Sequence, residues 1–177
     1  MSDKERTLGE KARKTALWGV LAALAVALSF AEGLLPPLPV PGAKLGLSNI
    51  VTMYCLGSLG LPAAMAVTAV KAGFALLRGG TACVMSFCGG VLSTLLMALC
   101  LRARRVPLSY IGVGIVGAAA HNLGQLGAAM LLLEPALVAY LPLLLLAALP
   151  TGAVTGLTLN LTLPAIERLS LPAAKRP

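Results

Sequence analysis

Six apolar runs, divided by short polar or Pro- and Gly-rich breaks, make up nearly all of the chain. The first extends from Thr15 to Leu35, about 20 residues, which is a bilayer-spanning length. The charged segment Met1 to Lys14 stands ahead of it. A cleaved signal has an apolar core of roughly 7–15 residues, so this longer run reads as a retained helix. The second run starts near Leu45 and ends by Gly60-Leu61-Pro62, and the third covers Ala63 to about Leu77 and closes at Arg78-Gly79-Gly80. A fourth, Val84 to Leu101, stops at Arg102-Ala103-Arg104-Arg105. The Gly-rich fifth covers Leu108 to Leu133, and after a break at Glu134-Pro135 the sixth covers Leu141 to Leu163. Runs two and three, at ~15–17 residues, are short for the bilayer and are expected to be re-entrant or sheltered by neighbours. The pattern predicts an all-α integral membrane protein. Six transmembrane helices, with five as the fallback, occupy residues 15–165 between an N-terminal segment, 1–14, and a basic tail, 166–177.

Composition agrees. Hydrophobic residues make up 58% of the 177 and charged ones 11%, against about 25% charged in soluble domains. The net charge of +8 is a topology signal rather than a nucleic-acid footprint. Of the basic residues, Lys4, Arg6, Lys11, Arg13, Lys14, Arg102, Arg104, Arg105, Arg168, Lys175 and Arg176 cluster at the termini and one loop. Lys44, Lys71 and Arg78 remain for the other side. The excess of Lys and Arg on cytoplasmic loops then places both termini inside, which only an even number of spans allows. The expected location is the cytoplasmic membrane.

Candidate chemistry begins between the first two runs. Pro36, Pro37, Pro39 and Pro41 exclude a helix and stiffen the approach to Gly42, Lys44 and Asn49. Lys44 is either a solvated loop lysine or part of a lid over a site. Lys71 shares a helical face with Phe74, Ala75 and Arg78 by i+3, i+4 and i+7 spacing. It either snorkels to the surface or joins Lys44 and Arg78 in an electropositive pocket for an anionic ligand. In run five, His121, Asn122 and Gln125 are polar groups in an apolar helix, and Gly117, His121, Gly124, Gln125 and Ala128 share one face. Such groups serve as hydrogen-bonding links between helices or face a ligand. Ser86, Gly89, Gly90 and Ser93 read as close helix packing. Gly19, Ala23, Ala27 and Ala31 form a small-residue stripe where another helix can approach.

Absences narrow the function. Cys55, Cys83, Cys88 and Cys100 form no C-x-x-C pair and read as reduced thiols in the bundle, and the single histidine does not make a metal site. No G-x-x-x-x-G-K-[ST] loop is present. Asp3 is the only aspartate, so no carboxylate cluster exists to hold magnesium on a diphosphate. No catalytic residues, metal or cofactor are expected.

Pro41-Gly-Ala-Lys-Leu-Gly-Leu-Ser-Asn-Ile-Val-Thr52, Phe87-Cys-Gly-Gly-Val-Leu-Ser93, Gly117-Ala-Ala-Ala-His-Asn-Leu-Gly-Gln125 and the Tyr140-Leu-Pro segment together resemble the Gx transporter family. That family is also labelled heptaprenyl diphosphate synthase component I. It is similar to the substrate-binding S-components of energy-coupling-factor (ECF) vitamin transporters. The resemblance covers about residues 15–165. It implies a six-helix S-component bundle, a loop between the first two helices that closes over an outward site, and partner docking through Ala23, Ala27 and Ala31. The substrate-binding candidates are Lys44, Asn49, Lys71, Arg78, His121, Asn122 and Gln125. The expected function is capture of a small anionic or amphipathic compound, of vitamin-, flavin- or quinone-precursor type, for uptake. A separate ATPase module with a membrane scaffold would supply the energy. The alternative is a noncatalytic membrane partner in isoprenoid, menaquinone or flavin-based redox metabolism.

Overall fold

The computed structural model describes residues 3–34, 46–103 and 108–169, and within them finds six α-helices and no strand. They are α1 (Asp3–Leu34), α2 (Leu47–Ser58), α3 (Leu61–Ala75), α4 (Gly80–Arg102), α5 (Tyr110–Leu132) and α6 (Leu141–Leu169). Two 3-10 segments, Leu76–Arg78 and Pro135–Tyr140, continue α3 and precede α6. Local chemistry sets the boundaries. The Ser109 hydroxyl accepts the Gly112 amide at 3.2 Å and caps α5. Pro62 sits in the first turn of α3, where its missing donor costs nothing. The helix α1 starts at Asp3, so the charged N-terminal segment and the first apolar run form one continuous rod.

Five helices are long and apolar enough to cross a membrane, over Thr15–Leu34, Leu61–Arg78, Gly80–Arg102, Tyr110–Leu132 and Pro135–Leu161. The exception is α2. Its 12 residues rise only about 18 Å, well short of a hydrocarbon core of about 30 Å. It is nevertheless the one helix that touches all five others, and Val51, Thr52, Met53 and Cys55 are all at most 2% exposed. The second apolar run is therefore a sheltered central helix rather than a full span. Its burial accounts for a continuous apolar pattern without an amphipathic face.

Glycine permits the closest helix contacts. On α5 and α6, Gly114, Gly152 and Gly156 let the two backbones touch, and a Cβ on any of them would collide with the facing main chain. At the other extreme, among the described α-helices α1 packs only against α2 and α3. Leu21, Ala25 and Ser29 form its buried side, while Gly19, Ala23, Ala27 and Ala31 all face outward.

Candidate functional site

The chain rejoins the bundle at Gly46, which is buried with φ +76, a left-handed conformation that favours glycine. Its carbonyl accepts the Asn49 amide at 2.8 Å and the Thr155 hydroxyl of α6 at 3.5 Å. Asn49, three residues on, turns its side chain to α3. Lys71 Nζ donates to Asn49 Oδ1 at 3.0 Å and to Thr52 Oγ1 at 3.4 Å. Lys71 is only 5% exposed, so its ammonium lies inside the bundle and does not snorkel. Hydrogen bonds to a charged group are among the stronger ones, each about 1.5–3 kcal/mol, and here they tie the short α2 to α3.

One turn before Lys71, Thr68 Oγ1 and Thr94 Oγ1 lie 3.0 Å apart across α3 and α4. Gly90 accommodates this crossing, because a Cβ there would lie 2.6 Å from Thr68 Cγ2. The adjacent Gly89 faces α5 instead. A Cβ on it would stand 2.7 Å from both Gln125 Cγ and the His121 carbonyl oxygen. Ser93 completes the α4–α5 seam by donating to the Gly117 carbonyl at 2.8 Å. The serine and glycines of α4 thus act as close packing, as their spacing predicts. The polar face of α5 is buried as a unit, with His121 at 7%, Asn122 at 4% and Gln125 at 4% exposure.

Beyond that seam a cavity of about 240 Å³ opens between α4, α5, α6 and the 3-10 segment before α6. Asn122, Gln125, Leu126 and Ala129 line it from α5, and Leu133 from the turn that follows. Met85 closes it from α4, Leu137 and Tyr140 from the 3-10 segment, and Leu144 from α6. Asn122 Nδ2 donates to the Leu144 carbonyl at 2.9 Å, which joins two walls. Gln125 Oε1 is buried and accepts no hydrogen bond. Ligand clefts typically measure roughly 300–1,000 Å³, mostly apolar with a few placed polar groups. This one is slightly smaller and has that character.

The anticipated site residues separate into groups. Asn49 and Lys71 meet, Asn122 and Gln125 share the cavity wall, and His121 lies one turn from Gln125 on the same buried face. Arg78 stands apart. The helix tightens into a 3-10 turn after Ala75, and Arg78 is exposed at the rim with its guanidinium beside Gly33 of α1. Lys44 and the proline-rich stretch before it lie outside the described residues. The partners missed from sequence are Thr52, Thr155 and the apolar cavity lining. Thr52 was findable, since it follows Asn49 by one turn on the same face. Leu126, Leu133 and Leu144 were not, because a leucine facing a cavity reads like one facing lipid. All four cysteines are free. Among the described residues no group of three or more His, Cys, Asp or Glu is placed to hold a metal ion.

The profile of the family described as heptaprenyl diphosphate synthase component I matches residues 21–162. Comparison with curated proteins and with solved structures gives no significant match. Since the profile spans 21–162 of the 177 residues, the chain belongs to the heptaprenyl diphosphate synthase component I family.

Proposed function

We propose that this chain is a membrane-embedded binding subunit that captures a small amphipathic compound and hands it on with the help of a partner. The observation that carries this reading is the cavity between α4, α5 and α6, with apolar walls and the amides of Asn122 and Gln125 set into them. Buried polar groups at membrane depth are costly and mark ligand or transport pathways. The chain has no nucleotide-binding loop, so energy for uptake comes from a separate ATPase with a membrane scaffold. The outward Gly19, Ala23, Ala27 and Ala31 stripe supplies a surface for that scaffold on the most exposed of the spans. Catalysis by the chain itself is not part of this reading: diphosphate chemistry needs carboxylates to hold magnesium, and Asp3 is the only aspartate. We place both termini in the cytoplasm. Gly33 at the end of α1 stands beside Arg78 just after α3, so α1 and α3 run the same way. The short α2 returns the chain between them, and the Gln125 end of the bundle faces outward.

One finding favours a second reading. The family description names a component of a prenyl-transferring synthase, so the chain would anchor a soluble enzyme and hold its lipophilic substrate or product. Affinity purification after mild cross-linking separates the two. An ATPase with a membrane scaffold supports uptake, whereas a soluble prenyltransferase and no ATPase would replace it with the anchoring role.

A further inference from the structure

The cavity also constrains its occupant, on the reading that it is a binding site. The polar contributions to its wall are the amides of Asn122 and Gln125 and the phenol of Tyr140, and no charged residue among those described lines it. Lys71, the buried cation, is committed to Asn49 and Thr52 on α2 and is not part of the lining. An anion in this space would be stripped of water without a facing charge, which is strongly unfavourable. Asn122 already spends an N–H on the Leu144 carbonyl. Gln125 is different: it is 4% exposed, it lines the cavity, and its Oε1 accepts no hydrogen bond. A buried carbonyl left without a donor is costly, and a ligand entering here can supply one.

We infer that the cavity takes an uncharged, largely apolar molecule bearing an N–H or O–H donor, which the Gln125 amide recognises. This departs from the electropositive anion pocket of Lys44, Lys71 and Arg78 that the sequence suggests. Leu126, Leu137 and Leu144 pack the apolar body, and Gln125 sets its orientation.

Three bicyclic probes test this on the detergent-solubilised protein, with thermal shift as the readout. Indole is neutral and has an N–H, indene has the same shape without the donor, and indole-3-carboxylate adds a negative charge. We expect indole to bind about three- to tenfold more tightly than indene. Gln125→Met keeps the side-chain length and removes the amide, and should abolish that preference while both probes still bind. Gln125→Leu serves if the methionine variant fails to fold. Equal binding of indole and indene to the wild type, or a preference that survives both variants, overturns the role of Gln125 while leaving a binding cavity in place. Tightest binding by the carboxylate, lost in Lys71→Met, overturns the uncharged ligand class. Saturable binding by none of the three overturns the ligand class and the binding-subunit reading together.

Discussion

Replacing Gly89 by alanine adds one methyl where α4 crosses α5. That Cβ would lie 2.7 Å from Gln125 Cγ, 2.7 Å from the His121 carbonyl oxygen and 3.2 Å from His121 Cε1. Ordinary van der Waals contact begins near 3.4 Å, so the shortfall is about 0.7 Å. A side chain could rotate away, but the carbonyl belongs to the α5 backbone, so the helices themselves must part. Overpacking of this kind costs about 1–3 kcal/mol, offset by the roughly 0.5–1 kcal/mol that alanine gains over glycine in a helix. The expected net loss is about 0–2.5 kcal/mol, centred near 1. Gly127→Ala on α5 is the control: nothing lies within 4 Å of its Cβ position, so it should stabilise by about 0.5–1 kcal/mol. Gly124→Ala, whose Cβ would stand 2.7 Å from the Cys88 carbonyl oxygen, strains the same crossing. Combined with Gly89→Ala it should cost less than the sum, because one separation relieves both clashes. Reversible unfolding in mixed micelles with increasing SDS, followed by circular dichroism, reads all four proteins. Equal stability of Gly89→Ala and Gly127→Ala would refute the reasoning, since the crossing would then be too compliant to hold the Met85 and Gln125 walls of the cavity in register.

Further outcomes are expected. Asn49→Leu should cost about 1.5–3 kcal/mol by removing one acceptor of the buried Lys71 ammonium, and Lys71→Met in the same chain should recover part of it; additive losses in the same unfolding assay would show that the pair does not couple. Ala23→Leu and Ala27→Leu should leave stability within about 0.5 kcal/mol, because both positions face outward. They should nevertheless weaken co-purification of a membrane partner, and unchanged recovery would remove the stripe from the docking surface. Single cysteines placed at Ser2 and Pro177 on a background lacking Cys55, Cys83, Cys88 and Cys100 should label only from the cytoplasmic side, and labelling of one from outside would rule out a shared location.

The sequence anticipates α4, α5 and the start of α6 to within a few residues, since the apolar runs are divided by Arg102-Ala103-Arg104-Arg105 and by Glu134-Pro135. It also places the polar face of α5 and the packing role of Gly89, Gly90 and Ser93. What it hides is depth. The second run is legible as too short for a free span, re-entrant or sheltered, and the surrounding helices decide between the two by enclosing Leu47–Ser58. Lys71 and Arg78 look like neighbours at i+7, and the change to a 3-10 turn after Ala75 leaves one buried and the other at the rim. The cavity is hidden for a related reason. In a membrane protein both the lipid face and the interior are apolar, so hydropathy cannot tell Leu144, at 3% exposure, from Leu146, at 63%.

We propose that the cavity beside Gln125 is filled by a small molecule in the working protein. The most direct test is native mass spectrometry of the protein released gently from its own membrane, compared with Ala129→Phe, which places a ring into the cavity from the buried α5 wall. We expect a stoichiometric, uncharged, non-phospholipid adduct on the wild type that is absent from the folded variant. An adduct of equal occupancy on both proteins, or a wild type that carries only bulk phospholipid and retains no compound from its host's extract, would contradict it.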